Sequence, residues 1–285
     1  MLQFLKPGKY YLDYGPIQMT IQAYKYHEPL EEEIIAAAAY AGELLEQLSR
    51  HLKLARIPAV QIQQVEGLPL ILQRMIRAAG NCREPGLTSM AAVAGAFADE
   101  VADYLVRQGA TRVIINNGGD LAIRIKDDST VRVGLTSSID VYASDYVLEL
   151  DSQSGIGGIA TSGLGGRGLT RGIASAVVAL AADASTADAC ATVLGNSTFY
   201  PHPGIKQVPA EELDPQTDIP GQLVTVSVEG VDEKTYEKAL QQGIAMAGEF
   251  VSRKLLVAAV VCTGGLTAVE PAGWKNKIMP VHQAK

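Results

Sequence analysis

The spacing of apolar residues changes at Thr111, and that change decides what this chain can fold into. Upstream, Ile34, Ala38, Ala41, Leu45, Leu48 and Leu52 recur every three or four residues behind Glu31, Glu32 and Glu33. They form an amphipathic helix whose opening acids and closing Arg50, His51 and Lys53 suit its dipole. IQMTIQAYKY before it reads as a strand. A second helix is expected over Leu68 to Ala79, and a third from near Ser89 through SMAAVAGAFADEVADYLVRQG. Downstream, TRVIINNGGDLAIRIKDDSTVRVGL alternates with period two around an Asn117-Gly118 turn and a polar turn, which predicts an antiparallel meander. SDYVLEL, QLVTVSV and LLVAAVVC read as further strands, a short helix starts near Thr186, and Asp232 caps another helix. Phe199 to Gly221 is expected to be an irregular, proline-rich loop, and the last twenty or so residues a loosely structured tail. Helices and antiparallel strands in groups, rather than in strict alternation, predict an α+β fold with antiparallel or mixed sheets flanked by helices. No composition shift marks a boundary, so residues 1–285 read as a single domain, long enough to hold two lobes.

Composition narrows the partners. A net charge of −7 gives no general attraction to nucleic acid or anionic lipid, and no basic run compensates for it. The amino terminus, MLQFLKPGKYYLDYG, lacks a sustained apolar segment behind a basic start, and no stretch approaches the roughly 18 apolar residues of a membrane helix. A cytoplasmic protein is expected. Cys82, Cys190 and Cys262 lack C-x-x-C spacing and read as thiols rather than a disulfide or zinc framework. Cys190 is expected to be buried, whereas Cys82 in GNCREPG is expected to be accessible, with Arg83 beside it favouring a thiolate.

The stretch GIGGIATSGLGGRG, residues 155 to 168, is half glycine. Gly163, Gly165 and Gly168 satisfy G-x-G-x-x-G, but only Leu169 to Gly172 separate them from the apolar run 173 to 182. A dinucleotide fold needs a helix and then a strand there, so that reading fails on spacing. The P-loop pattern is missing as well. What survives is a backbone anion nest flanked by Arg167 and Arg171, or a pair of glycine turns whose arginines face water. In TADACAT, Thr186 can cap a helix that places Asp188 and Thr192 one turn apart, two hard oxygens suited to Mg²⁺. Read alone, the same acid merely favours the helix dipole. INNGGD puts Asn116 and Asp120 at the ends of strands, where ligands often meet sheets.

Taken in order, SMAAVAGAFADEVADYL, INNGGD, VGL, IATSG and ADACAT resemble the ApbE family, the FAD:protein FMN transferases. The resemblance covers about residues 86 to 196 and implies an α+β protein that binds FAD and Mg²⁺, cuts the pyrophosphate and attaches FMN to a threonine of a partner. It implies metal ligands at Asp188 and Thr192. Asn116, Gly118, Gly119 and Asp120 fall on its flavin-side turn, and Thr161, Ser162 and Gly163 on its active-site strand. Gly165, Gly166, Arg167 and Arg171 would cradle the phosphates. Ala94-Gly95 replaces the family's Lys-Gly pair, and the His and Asp-Pro-x-Thr-Gly segment is missing between Leu164 and Thr186. SGLGGRG with MAAVAGA resembles instead a cytoplasmic branch of that superfamily, which implies an alternative: a non-transferase binding or accessory protein in sulfide assimilation into homocysteine. His202 and Cys82 are the candidate replacement acid, base or nucleophile, and a homodimer is the expected assembly.

Overall fold

The computed structural model describes residues 1–137, 145–166 and 168–280. Its strands are β1 (Leu2–Lys6), β2 (Lys9–Tyr14), β3 (Ile17–Lys25), β4 (Glu28–Pro29), β5 (Arg112–Asn117), β6 (Asp120–Ile125), β7 (Val131–Leu135), β8 (Tyr146–Leu150), β9 (Gly158–Ser162), β10 (Ala176–Ala181), β11 (Ile205–Pro209), β12 (Leu223–Val228), β13 (Ala258–Thr263), β14 (Leu266–Glu270) and β15 (Ile278–Pro280). Its α-helices are α1 (Glu31–Ser49), α2 (Leu52–Ala55), α3 (Leu70–Cys82), α4 (Val93–Arg107), α5 (Ala184–Ser197), α6 (Ala210–Leu213) and α7 (Glu233–Ser252). This is an α+β protein. The chain divides into two compact units: Met1–Val131 with Leu150–Ala160 and Ala181–Asp188, and Arg132–Glu149 with Thr161–Leu180 and Ala189–Lys285.

In the first unit β1, β2, β3, β5 and β6 form an antiparallel run in that order, and β6 continues to the start of β9 through Leu121↔Ile159. Along β3 the residues Ile17, Met19, Ile21 and Ala23 are buried while the intervening ones are not, the alternation of a sheet covered on one face. Helices α1, α3 and α4 supply the cover: Ile34, Ala41 and Leu44, then Leu72, Met75 and Ile76, then Val101 and Leu105 join one core with β3 and β5. Each large side chain buried there contributes about 1.5–3 kcal/mol. The helices lie close to where the three- and four-residue spacing predicts them, but α1 ends at Ser49 with no basic residue in its last turn, Leu52 opens the separate helix α2, α3 runs on to Cys82, and Ser89–Ala92 is a 3-10 turn leading into α4.

In the second unit β10, β13 and β14 pair antiparallel, and every residue of β10 and β13 is buried. The apolar run 173 to 182 is therefore a strand, with no helix among the described residues between it and Gly168. Helix α7 begins at Asp232, whose carboxylate accepts the Thr235 N–H at 2.8 Å as expected of its cap. No helix among the described residues is long and apolar enough to cross a membrane.

Several expectations need correction. The third strand of the meander, β7, belongs to a sheet with β8 and β15. Alternation fixes which face a strand presents but not its neighbour, and here Asp127 turns the chain after β6 by binding Ser129 and Thr111. The loop from Phe199 contains β11, paired with β12, and α6, which starts just after Pro209. The tail is ordered through Pro280: β14 pairs with β13, and β15 with β8, more than a hundred residues away in sequence. Local pattern carries no trace of such a partner. Helix α5 starts at Ala184, so Thr186 lies inside it and is not its cap.

Candidate functional site at the crossing of two helices

In the first unit the start of α4 meets the start of α5, and glycine makes the approach feasible. A Cβ on Gly95 would lie 2.2 Å from the Ala184 carbonyl oxygen and 2.9 Å from Asp188 Cβ. On the other side, Cβ atoms on Gly157 and Gly158 would lie 2.3 Å from Ala182 O and 2.1 Å from Asp183 C. These two glycines of the rich stretch thus admit the protein's own backbone, and Gly157 N–H donates to Ala181 O at 3.0 Å.

A helix begins with four N–H groups that have no partner inside it. In α5 three of them are taken. Asp99 of α4 accepts from Ala184 N–H at 3.0 Å and Ser185 N–H at 2.8 Å, and Asp183 Oδ1 accepts from Thr186 N–H at 2.8 Å; the Asp183 carbonyl then takes the first bond of the helix itself, from Ala187 N–H at 3.2 Å. Helix α5 answers in kind. Asp188 Oδ2 accepts the Gly95 N–H at 2.9 Å, and the Ala94 N–H also bonds to this carboxyl, so each helix lends a carboxylate to the first turn of the other. Asn117 Nδ2 donates to Ala94 O at 3.0 Å and ties the hairpin of β5 and β6 to the same turn.

Asp99 is fully buried between two guanidinium groups. Arg124 Nη2 reaches Oδ1 at 2.9 Å and Arg74 Nη1 reaches Oδ2 at 3.3 Å. Arg74 also binds Glu100 and Asp103, both at 2.8 Å, and Arg124 binds Asp103 at 2.9 Å and the Gly157 carbonyl at 3.0 Å. Burial pushes the Asp99 carboxyl up; Arg124 pulls it down, and Asp183 works against that pull. Asp188, half-buried, is pushed well above the usual carboxylate range, first by burial and then by the charge of Asp120, while the Gly95 and Ala94 N–H groups oppose the rise.

The hairpin carrying Asp120 turns through Gly118 and Gly119, at φ 68° and 116°, with Asn117 paired to Asp120. Asn116 Oδ1 accepts the Gly119 N–H at 2.9 Å and braces that turn, whereas Asn117 makes the longer reach. Asn117, Gly95 and Asp99 are not among the site residues expected from the sequence. For Asn117 there was a signal: it shares the buried face of β5 with Val113 and Ile115, where a polar side chain requires a partner. For Asp99 there was none, because its partners come from three other elements.

In the second unit Thr161 and Ser162 end β9, and a Cβ on Gly163 would lie 2.8 Å from Ser175 O. Gly165 has φ 81°, and Gly166 N–H closes a turn onto Gly163 O at 3.3 Å. Arg167 lies outside the described residues. The Arg171 N–H donates to Asn196 Oδ1 at 2.9 Å, and its carbonyl accepts from Gln207 Nε2 at 2.9 Å; a cavity of about 430 Å³ is lined by Arg171, Asn196, Phe199, Gln207, Gln222 and Leu223. Thr192 is half-buried on α5. Both ring nitrogens of His202 face protein: Nδ1 accepts the Gly204 N–H at 3.0 Å, and Nε2 lies 3.4 Å from the Asp232 carboxylate that caps α7. Cys82, expected to be accessible, is buried in the first unit, because α3 runs past Ala79 and turns the thiol inward to donate to Ala78 O at 3.6 Å. Among the described residues no three His, Cys, Asp or Glu side chains form a metal cage.

A family model described as AbpE bacteria matches residues 2–269. A UPF0280 protein of Methanopyrus kandleri is 35% identical over 205 residues, which cover 69% of this chain and 78% of that protein. A UPF0280 protein of Methanosphaerula palustris is 36% identical over 138 residues, 48% of this chain and 55% of that protein, so this match spans about half the relative's length. The apo form of Pseudomonas stutzeri flavinyl transferase ApbE has a TM-score of 0.54 at 13% identity, covering 96% of this chain and 98% of that one. At this identity the likeness is one of fold.

Proposed function

Because the chain belongs to the AbpE bacteria family, we propose that it binds FAD with Mg²⁺, the cation held by Asp188 and Thr192, and cuts the flavin's pyrophosphate. The observation that carries this reading is Asp188, anchored on the Gly95 N–H at 2.9 Å with the charge of Asp120 beside it. Two acids brought together oppose each other's ionisation, and a hard divalent ion removes that opposition. The donor set suits Mg²⁺: the carboxylate of Asp188 and the hydroxyl of Thr192, one turn further along α5, with the remaining positions left to water and phosphate oxygens. When bound, the cation supplies charge neutralisation at the diphosphate.

The chain's own groups make such help necessary. The N–H groups of Ala184, Ser185 and Thr186 at the start of α5 are committed to Asp99 and Asp183, so these three do not serve a phosphate. Asn116, Gly118, Gly119 and Asp120 on the hairpin, Thr161, Ser162 and Gly163 at the end of β9, and Gly165, Gly166, Arg167 and Arg171 beyond it are the residues assigned to the flavin nucleotide. With water as acceptor FAD yields FMN and AMP; with a protein hydroxyl the same phosphoanhydride breaks, AMP leaves and FMN becomes a phosphoester of the partner. The proposal includes a cytoplasmic setting and a homodimer, the latter checked by light scattering.

His202 favours a second reading. With both its ring nitrogens on protein partners and Cys82 buried, neither candidate offers a proton acceptor to an incoming hydroxyl. The chain would then bind the flavin without turnover, as an accessory protein in sulfide assimilation. Incubation with FAD and Mg²⁺, with AMP and FMN followed by chromatography, separates the two. Mg²⁺-dependent AMP release that is lost in Asp188→Ala supports the enzyme, tight FAD binding without release supports the binder, and no binding at all refutes both.

A further inference from the structure

We infer that Asp99 is a positioning residue for Asp188, and that the Arg74–Asp99–Arg124 cluster exists to hold the crossing of α4 and α5 in one register. This rests on the cation reading above and extends it to residues that touch no ligand. On α4, Gly95 and Asp99 stand one turn apart; on α5, Ala184 and Asp188 do the same. Gly95 meets Ala184 and Asp188, and Asp99 meets the N–H groups of Ala184 and Ser185. The four positions form a closed clasp in which neither helix slides or rotates without breaking a charge-assisted hydrogen bond.

Stability alone does not account for the charges. Burying Asp99 and Glu100, with Arg74, Arg124 and Asp103 partly buried around them, costs desolvation that well-packed apolar residues of similar volume avoid, and such replacements are often neutral or stabilising. What a forked guanidinium pair adds is direction: Arg124 and Arg74 approach Asp99 from two sides, at 2.9 and 3.3 Å, and leave its lone pairs aimed at the start of α5. The anchor of Asp188 therefore depends on a carboxylate one turn away on the opposite helix. Groups that orient a metal ligand from behind typically set ~10–100-fold of metal affinity.

The test uses Mn²⁺ in place of Mg²⁺, titrated calorimetrically into the full chain, together with hydrogen exchange at the Gly95 amide. Asp99→Asn keeps the shape and removes the charge; it is expected to weaken Mn²⁺ binding by ~10–100-fold and to speed Gly95 exchange relative to Ile115 on β5. Val101→Ala weakens the same helix by removing a buried contact and is expected to leave Mn²⁺ affinity unchanged, which a merely structural role for Asp99 would not distinguish. Wild-type affinity with a protected Gly95 amide in Asp99→Asn overturns the inference. Should Asp99→Asn fail to fold, Arg124→Lys takes its place: it leaves Asp99 charged but loses the fork, and unchanged Mn²⁺ affinity in it is equally fatal. Wild-type affinity in Asp188→Ala sinks the cation reading instead, and Gly95 exchange in Asp99→Asn then decides the positioning role by itself.

Discussion

Gly95 and Gly80 both sit inside helices, yet an added methyl group meets different surroundings at the two. At Gly95 it would lie 2.2 Å from the Ala184 carbonyl oxygen, a backbone atom with nowhere to move; at Gly80 nothing lies within 4 Å. Gly95→Ala should destabilise the protein by about 1–3 kcal/mol or more through overpacking, whereas Gly80→Ala should stabilise it by roughly 0.5–1 kcal/mol. Urea unfolding of the pair checks both signs, and equal effects would refute the close approach of α4 and α5. The pH dependence turns on Asp188. Its folded carboxyl titrates well above the ordinary value, raised by burial and then by Asp120, so the folded chain keeps a proton that the unfolded chain releases near its usual pKa of about 3.9. In chelator-treated protein this group's contribution is therefore complete below the unfolded value and is lost as pH climbs toward the folded one. Stability should fall as pH rises above about 4 more steeply in wild type than in Asp188→Asn. Parallel slopes in the two proteins would contradict the buried acid.

At the level of elements, Thr198 fastens the end of α5 to the chain entering β10. Its buried hydroxyl accepts the N–H groups of Ile173 and Ala174, both at 3.0 Å, and donates to Gly195 O at 2.7 Å. Thr198→Val keeps the shape and orphans two buried donors, so it should cost at least about 2 kcal/mol, while Thr198→Ser should keep most of the stability. A valine variant that melts with wild type would show that these bonds do little. Such fastenings mark where the sequence stops being legible. Helices α1 and α3 could be read because their apolar spacing is a local property, and the β5–β6 hairpin because the glycines needed at positive φ stand next to the strands they join. The partner of β7 and the role of β15 could not, since pairing across more than a hundred residues leaves no periodic mark. The same division runs through the site. Asp188 and Thr192 are candidates because they stand one turn of helix apart, a local property, and Asn117 is within reach as a polar residue on an apolar face. Asp99 acts through α3, β6 and α5 at once, and only folding brings those together.

For the whole molecule the question is how a chain of net charge −7 would hold an anionic dinucleotide. General electrostatics oppose the encounter, and the start of α5, the usual backbone device for phosphate, is occupied by the protein's own carboxylates. Two sources of affinity remain: a cation at Asp188, or guanidinium groups near the glycine turn such as Arg171. They predict different melting behaviour. A ligand present at a hundredfold excess over its dissociation constant stabilises the folded state by about 2.7 kcal/mol, which for a chain of this size corresponds to roughly 5–10 °C. If the cation dominates, FAD alone and Mg²⁺ alone should each move the melting temperature little, the two together should give the full shift, and Asp188→Ala should abolish the synergy. Moderate added salt should leave the combined shift largely intact, because an ion held in direct contact is screened less than exposed charges are. If arginine dominates, FAD alone should suffice, its effect should shrink as salt rises, and Asp188→Ala should behave as wild type. That second pattern would remove Asp188 from the binding site and leave it as the acid that caps α4.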